Sequence, residues 1–299
     1  MPFERAKGIW PPVATPFRSD LSVDFDRYIA HCRKLLAEGA HGLAVLGTTS
    51  EANSLDLEER HELLEGLVGS GIAAEKLLPG TGATSIGDAV LLTRHATELG
   101  ARGVLLLPPF YYKAVSDDGL FAFASEVIER VGDDRLQVYL YNFPQMSALA
   151  WSPALVARLI TAFPDTVAGL KDSSGDVAYT ERLLSEHQGF AVFPSSESLL
   201  LAALRKGAAG CISATANTHV AGIRRLYDGW RGPDADKLHE ATSRIRQVVQ
   251  NYPFIPAVKA ILAEREGTPD WLHIRPPLEQ LGAKAKADLI EALRKLDAI

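Results

Sequence analysis

Cysteine is scarce in this sequence, which contains only Cys32 and Cys211 among 299 residues. Two cysteines exclude a disulfide framework and fit a reducing compartment. The N-terminal segment lacks the apolar core of a signal peptide, and no apolar run approaches the roughly 20 residues that span a bilayer. These absences predict a cytoplasmic protein that has no membrane partner.

The chain also lacks a strong excess of either charge, since 31 basic and 37 acidic residues give a net charge of −6. This balance provides no general attraction for nucleic acid or for an anionic membrane. The arginines form no basic stripe interleaved with aromatic residues, so nucleic-acid binding is not expected. The eight histidines have no metal-ligand spacing such as H-E-x-x-H, which argues against a metal site and a zinc-dependent aldolase.

Short apolar runs alternate with longer amphipathic stretches along the first 218 residues. The runs lack polar alternation, which is typical of strands covered on both faces. They occupy residues 8–13, 42–46, 77–79, 103–107, 137–141, 167–170, 190–193 and 210–212. Nearly every run is followed by a helical pattern, which predicts an α/β protein with a (β/α)₈ TIM barrel in residues 1–218.

The remaining residues, 219–299, contain no further β-like run and predict a C-terminal helical extension packed on the barrel. A doubly wound parallel sheet is the alternative architecture, because it shares the alternation of strands and helices. That fold normally carries a G-x-G-x-x-G loop. The glycine-rich stretch at residues 80–87 does not have this spacing and is more typical of a strand-to-helix turn.

One lysine directly ends an apolar run in this predicted barrel, whose chemistry is expected at the C-terminal ends of the strands. Lys171 continues the run at 167–170, whereas Lys76 and Lys206 precede strands and lie at the opposite end. Burial of an amine favours its neutral form, which is the nucleophile that makes a Schiff base with a carbonyl substrate. The alternative is a structural ion pair between Lys171 and an acid such as Asp172.

Two other predicted strand ends carry matching chemistry. The segment at residues 47–51 offers the hydroxyl groups of Thr48 and Thr49 and backbone N–H groups suited to a carboxylate, although a helix N-cap is the alternative. Tyr141 ends the fifth run, where a phenol is able to transfer a proton to or from a reacting group. A buried aromatic side chain with a hydrogen-bonded hydroxyl is the alternative for Tyr141.

Three motifs together resemble the dihydrodipicolinate synthase/N-acetylneuraminate lyase family: Gly47-Thr48-Thr49-x-Glu51, Tyr141-Asn142-x-Pro144 and Gly169-x-Lys171-Asp172. Further agreement comes from Pro109-Phe110-Tyr111-Tyr112, Gly80-Thr81-Gly82 and Gly210-x-Ile212-Ser213. The resemblance implies a barrel lyase of class I that binds pyruvate or another 2-oxo acid as a lysine Schiff base. It also implies an aldehyde as second substrate, no metal or organic cofactor, and a homotetramer built as a dimer of dimers.

The resemblance assigns a role to each matching residue. Lys171 would form the Schiff base, Tyr141 would be the acid/base, and Thr48 would join Tyr141 in a proton relay. Tyr111 aligns with an aromatic residue that reaches the site of a neighbouring subunit. Thr49 and adjacent amides would hold the substrate carboxylate. The remaining candidates for substrate binding are Ser50, Ser173, Ser195, Glu197 and Ile212.

The sequence departs from the synthases of this family after Pro144. Those enzymes continue with Ser-Arg, whose arginine holds the carboxylate of the second substrate, but here Gln145 and Met146 follow. Methionine has neither the charge nor the donors of a guanidinium, which argues against dihydrodipicolinate synthesis. Phe143 and Met146 predict a smaller or less charged acceptor. Two alternatives are dehydration of a 3-deoxy-2-oxo sugar acid through the same imine, and a non-catalytic barrel that binds a 2-oxo acid as a regulator.

Overall fold

A computed structural model describes residues 4–299 of the chain. Its regular strands are β1 (Gly8–Ile9), β2 (Val104–Leu106), β3 (Val138–Asn142), β4 (Val167–Asp172), β5 (Ala191–Pro194) and β6 (Gly210–Cys211). Two further segments, around residues 43–46 and 77–80, join the sheet through parallel bridges at Leu43–Leu77 and Gly80–Leu105. The eight segments correspond to the eight apolar runs of the sequence.

Parallel pairing closes these segments into a ring. The strands β2, β3, β4 and β5 are neighbours in that order, and β1 pairs with β6. The amide of Ala209 donates to the carbonyl oxygen of Val192 at 2.9 Å, which links the β6 side to β5. A bridge between Pro12 and Ala44 links the β1 side to the second segment. The predicted (β/α)₈ barrel is therefore confirmed, and the doubly wound sheet is wrong.

Twelve helices are present within residues 4–299: α1 (Phe25–Ala37), α2 (Leu57–Gly69), α3 (Ile86–Glu98), α4 (Asp117–Val131), α5 (Pro144–Ser147), α6 (Pro153–Ala162), α7 (Val177–Glu186), α8 (Glu197–Arg205), α9 (Ala216–Gly229), α10 (Ala235–Val249), α11 (Phe254–Glu266) and α12 (Ala283–Arg294). Many begin at a side chain that accepts a hydrogen bond from the first turn. These N-caps are Asp24, Asp56, Ser85, Ser116, Ser152, Asp176 and Ser196.

Glycine permits the close approach of the first and last strands. A Cβ atom at Gly210 would stand 1.9 Å from the carbonyl oxygen of Gly8, far inside van der Waals contact. Gly8 itself has a φ of +95°, which lies in the region that favours glycine. The sequence Gly210-x-Ile212-Ser213 therefore has a physical basis in barrel closure, and it places Ile212 and Ser213 at the carboxyl end of β6.

Side chains fill the interior of the barrel. Tyr139, Phe193 and Ile212 belong to an inner apolar cluster of buried residues contributed by several strands. The hydroxyl of Tyr139 accepts a hydrogen bond from the amide of Ala6 at 2.7 Å and donates one to Gln137 at 3.1 Å. The interior is thus a packed core, and the open space lies beyond the carboxyl ends of the strands.

The C-terminal helices pack as a unit around α11, which is buried along most of its length. The boundary predicted after residue 218 falls within α9, whose Val220, Ile223 and Leu226 belong to the main barrel core. We propose that the helical extension begins at α10. Between residues 4 and 299, no helix combines the length and apolarity needed to cross a bilayer. The predicted cytoplasmic location stays a prediction.

Candidate active site

A cavity of about 420 Å³ opens at the carboxyl ends of the strands, where the barrel fold places its chemistry. Its polar lining brings together Thr48, Thr49, Tyr141, Lys171, Ser173, Ser195 and Arg246. Its apolar lining includes Phe143, Met146, Ile212, Phe254, Ile255 and Leu278. Residues from five different strand ends and from the C-terminal extension therefore share one site.

Lys171 lies near the end of β4 with only 3% of its surface exposed. Its Nζ atom stands 3.9 Å from the ring centroid of Tyr141. Adjacent residues on a strand face opposite sides of the sheet. The carboxylate of Asp172 accordingly accepts hydrogen bonds from Asn142 at 3.0 Å and Thr180 at 2.8 Å. The alternative of an ion pair between Lys171 and Asp172 is therefore wrong.

No ion pair within the described part of the chain involves Lys171. The lysines that pair there are Lys7, Lys206, Lys259, Lys284 and Lys295. The amine of Lys171 is thus buried, lines the cavity and has no carboxylate partner in residues 4–299, so its position suits bonding to a carbonyl carbon held there.

Tyr141 and Thr48 are in hydrogen-bond contact beside this amine. The Tyr141 hydroxyl lies 3.2 Å from Oγ1 of Thr48, and either oxygen can donate. The register of β3 and β4 sets Tyr141 directly opposite Lys171. The Tyr141 ring also stacks on Phe143, with centroids 6.0 Å apart. The phenol, the threonine hydroxyl and the amine therefore meet in a fixed arrangement, which suits proton transfer at a carbon or oxygen bound to the lysine.

The turn at residues 47–51 presents backbone donors at the cavity. None of the hydrogen bonds among residues 4–299 uses the N–H groups of Thr48 or Thr49. Ser50 faces away, since its hydroxyl accepts from the Gly47 amide at 3.2 Å and donates to the Val13 carbonyl at 2.5 Å. Free backbone amides of this kind are typical anion sites. Ser50 thus supports the turn from behind and is absent from the cavity lining.

A buried ion pair holds the end of this turn. Glu51, with a φ of 56°, pairs with Lys259 of α11, and both side chains are almost fully buried. Lys259 also donates to the carbonyl oxygen of His273 at 2.8 Å. Burial raises the pKa of Glu51 above its usual value despite the adjacent ammonium, and burial also lowers the pKa of Lys259. The pair fastens the turn at residues 47–51 to the C-terminal extension.

Besides Ser50, two other residues predicted for the site lie outside the cavity lining in this chain. Glu197 is buried behind the cavity wall, where its carboxylate accepts hydrogen bonds from Ser213 and Thr215. Tyr111 is 72% exposed and contacts Tyr112 edge-on, with ring centroids 5.3 Å apart, outside the cavity lining. Neither side chain can touch a molecule held at Lys171 within one chain.

Sequence reasoning missed the contribution of α10 and α11, because it searched only the strand ends. Arg246, Phe254 and Ile255 line the cavity from these two helices. One signal was present. Arg246 lies between the buried Thr242 and Val249 at helical spacing, so the sequence puts a guanidinium on the inward face of α10.

Comparisons with known proteins identify the family. The model of the dihydrodipicolinate synthetase family matches residues 5–296. The chain belongs to this family. Dihydrodipicolinate synthase from Agrobacterium tumefaciens has a similar structure, with a TM-score of 0.90, 35% identity, and coverage of 97% of this chain and 99% of the other. YagE of Escherichia coli K12, solved in complex with pyruvate, gives a TM-score of 0.89 and 30% identity over 98% and 99% of the two chains.

The curated relatives agree with this assignment. A DapA-like lyase of Chloroflexus aurantiacus is 30% identical over 294 residues, which cover 98% of this chain and 97% of the relative. The protein is an enzyme of the lyase class, and the predicted family and enzyme class are confirmed. The alternative of a non-catalytic barrel has no support. The expectation that no cofactor is needed stays a prediction.

Proposed function

We propose that the protein makes or cleaves the carbon–carbon bond of a 4-hydroxy-2-oxo acid, through a Schiff base between Lys171 and pyruvate or a related 2-oxo acid. The proposal rests mainly on one observation. Lys171 is a buried lysine without a carboxylate partner, and its Nζ lies 3.9 Å from the Tyr141 ring in a cavity lined by Thr48 and Thr49. A lysine amine placed in this way can form a Schiff base with a carbonyl substrate bound in the cavity.

In the synthetic direction, the neutral Lys171 amine attacks the carbonyl carbon of pyruvate and forms a carbinolamine. Protonation of the carbinolamine hydroxyl group and loss of one water molecule give a protonated imine, which serves as an electron sink. Removal of a proton from the methyl carbon gives an enamine. The enamine carbon then bonds to the aldehyde carbon, and the aldehyde oxygen takes up a proton. Hydrolysis of the imine by water releases the 4-hydroxy-2-oxo acid and restores the amine.

Tyr141 is suited to the proton transfers in this sequence. Its hydroxyl contacts Thr48 at 3.2 Å, so a proton given up to a reacting oxygen can be replaced through that hydroxyl. General acid–base catalysis by one such group contributes about 10²- to 10⁴-fold to a rate. We assign the acid/base role to Tyr141 and the relay to Thr48, and both roles rest on this contact.

The turn at residues 47–51 is suited to the carboxylate of the 2-oxo acid. Thr48 and Thr49 line the same cavity as Lys171, and no hydrogen bond within residues 4–299 uses their N–H groups. A carboxylate held there would fix the plane of the imine and align the reacting bond with it, which is a large source of rate enhancement. Ser173, Ser195 and Ile212 line the rest of this cavity. We assign them to contacts with the substrate beyond the pyruvyl carbons.

Reductive trapping tests the Schiff base directly. The protein is incubated with pyruvate and sodium borohydride, digested and analysed by mass spectrometry. We expect one pyruvyl adduct per chain, located on the peptide that contains Lys171, because borohydride converts the imine to a stable secondary amine. Exposed Lys237 provides the internal control, since its peptide should stay unmodified. An unmodified Lys171 under conditions in which the enzyme is active would refute the proposal.

We further propose a homotetramer in which Tyr111 contributes to the cavity of a partner chain. In one chain the Tyr111 ring is 72% exposed and outside the cavity lining, although it belongs to a motif that the sequence shares with the family. A large exposed aromatic pair is typical of a contact surface. Light scattering coupled to size exclusion should give the mass of four chains, and the mass of a single chain would contradict the proposal.

A further inference from the structure

We propose that Arg246 selects an acceptor aldehyde that carries a terminal carboxylate. The inference rests on the function proposed above, and it concerns the half of the substrate that the pyruvyl site does not hold. Among residues 4–299, Arg246 is the one arginine in the lining of the cavity, and it comes from α10 of the C-terminal extension. Its position, its free donors and the chemistry of the surrounding wall each support this assignment.

The guanidinium of Arg246 lies at the end of β5, the strand that pairs with the Lys171 strand β4. Nη1 of Arg246 stands 3.5 Å from the carbonyl oxygen of Ser195 and 3.1 Å from the hydroxyl of Ser213. Ser195 follows β5 directly, and its amide donates to the carbonyl oxygen of Asp172, the neighbour of Lys171, at 2.9 Å. Arg246 is therefore within reach of the far end of a short molecule that is joined to Lys171.

Glu197 is an ion-pair partner of Arg246, but it does not occupy the hydrogen-bond donors of the guanidinium. Glu197 is 3.8 Å from Nη1, beyond hydrogen-bond distance, and both of its oxygens accept hydrogen bonds from the hydroxyls of Ser213 and Thr215. Within residues 4–299, Nη2 of Arg246 makes no hydrogen bond. The side chain is only 11% exposed, so water can hydrate it little. An arginine held in this way is short of an acceptor, and a carboxylate supplies one.

Aromatic packing fixes the orientation of the guanidinium. Its central carbon stands 4.2 Å from the ring centroid of Phe254, which covers one face of the plane. Contact with Ser213 and Ser195 restrains one nitrogen at the edge. A guanidinium group that is already oriented loses little conformational entropy when it binds a carboxylate. Glu197 acts as a positioning residue, because it anchors the hydroxyl that Arg246 contacts.

The remaining wall of the acceptor end is apolar. Phe143, Met146, Ile255 and Leu278 line it, and Ser173 and Ser195 supply its only hydroxyl side chains beyond the pyruvyl site within the described residues. A polyhydroxylated acceptor needs many more partners than this wall offers. A short chain with an apolar middle and one anionic end fits both the wall and the arginine. The inference reverses the sequence-based expectation of a less charged acceptor, because the cation arrives from a helix that the strand-end motifs do not reveal.

Two aldehydes of equal chain length test the selection. Aldol addition of pyruvate is measured with succinic semialdehyde, which carries a terminal carboxylate, and with butanal, which does not. For the unaltered enzyme we expect kcat/KM to be about 10- to 100-fold higher with succinic semialdehyde, as for a hydrogen bond to a charged group. The variant Arg246→Met should lose this preference. The variant Arg244→Met should keep it, because Arg244 is exposed on the same helix.

The outcomes distinguish a failure of the proposed Arg246 role from a failure of the proposed Lys171 Schiff base. Borohydride trapping with pyruvate alone is performed on every variant as a measure of the Lys171 amine. If trapping fails in the unaltered enzyme, the proposed Schiff base is wrong. If trapping succeeds but butanal reacts as well as succinic semialdehyde, or neither aldehyde reacts, the role of Arg246 is wrong. A preference that survives in Arg246→Met also overturns the inference, whereas its specific loss in that variant supports it.

Discussion

Replacement of Lys171 by methionine is expected to abolish turnover and to leave the protein folded. The variant Lys171→Met removes the nitrogen that would bond to the substrate, and loss of a covalent nucleophile costs about 10⁴-fold or more in kcat. Methionine has a similar length and no charge, so it can occupy the space of the buried amine. Steady-state assays with pyruvate and an aldehyde, together with borohydride trapping, measure the effect.

Stability separates a catalytic role of Lys171 from a structural one. Lys171 has no acidic partner in the described chain, so its replacement by an apolar side chain removes a buried polar group and breaks no ion pair. We expect the melting temperature of Lys171→Met to equal or exceed that of the parent. The variant Lys237→Met is the control, because that side chain is exposed on α10. Turnover above about 1% of the parent rate would exclude Lys171 as the nucleophile.

The same substitution at Lys259 is expected to have the opposite effect. Lys259→Met leaves the buried carboxylate of Glu51 without its cation, and it also leaves the His273 carbonyl without a donor. Breaking a buried pair by removing one partner costs about 3–5 kcal/mol. We therefore expect a large fall in the free energy of unfolding, measured by chemical denaturation. The exposed pair of Lys284 and Asp288 provides a control, since Lys284→Met should change stability by less than about 1 kcal/mol.

The pH dependence of the Lys259→Met variant follows from the state of Glu51. Burial raises the pKa of this carboxyl, so folding favours its protonated form. A group whose pKa is raised in the folded state contributes stability below its unfolded pKa and loses it as the pH rises. The deficit of the variant should therefore be small near pH 4 and largest at neutral pH. A deficit that is independent of pH would show that lost packing, and not the unpaired carboxylate, is its cause.

A second substitution checks the same pair. Adding Glu51→Gln to Lys259→Met removes the unpaired charge, and the amide can still accept a hydrogen bond from the Arg275 backbone N–H that Glu51 binds at 3.2 Å. We expect the double variant to recover more than half of the lost stability, because the two residues interact directly. A double variant as unstable as the sum of the two single variants would contradict a coupled pair.

The two buried lysines show where sequence reasoning is sufficient and where it is not. Lys171 ends an apolar strand run, and the geometry of parallel barrels then determines which end of the barrel it occupies. Lys259 lies in a helix, and no local pattern reveals that Glu51, more than two hundred residues earlier, is its partner. The difference is physical. Strand ends are defined by local periodicity, whereas a contact between distant helices and loops depends on how the whole chain packs.

The residues predicted to bind substrate show the same difference between local position and long-range contacts. Thr49, Ser173, Ser195 and Ile212 line the cavity, as their positions at strand ends predict. Glu197 stands at the start of α8 directly after a strand end, and yet its carboxylate is turned inward by two hydroxyls. Sequence position fixes where a Cα atom lies along the barrel rim. It does not fix which partner the side chain finds, because that choice depends on groups from other strands.

The sequence by itself determined the barrel, the family and which candidate residues meet at the carboxyl rim of the barrel. It could do so because continuous apolar runs and amphipathic helices are local patterns in the sequence. The carboxyl ends of the strands also converge on one rim of the barrel. Only the tertiary structure decided the wall of the cavity that α10 forms, where Arg246 lies beside Ser195. It also decided that Lys259 supports the turn at residues 47–51. Both decisions depend on contacts between segments far apart in the chain, and no local propensity encodes them.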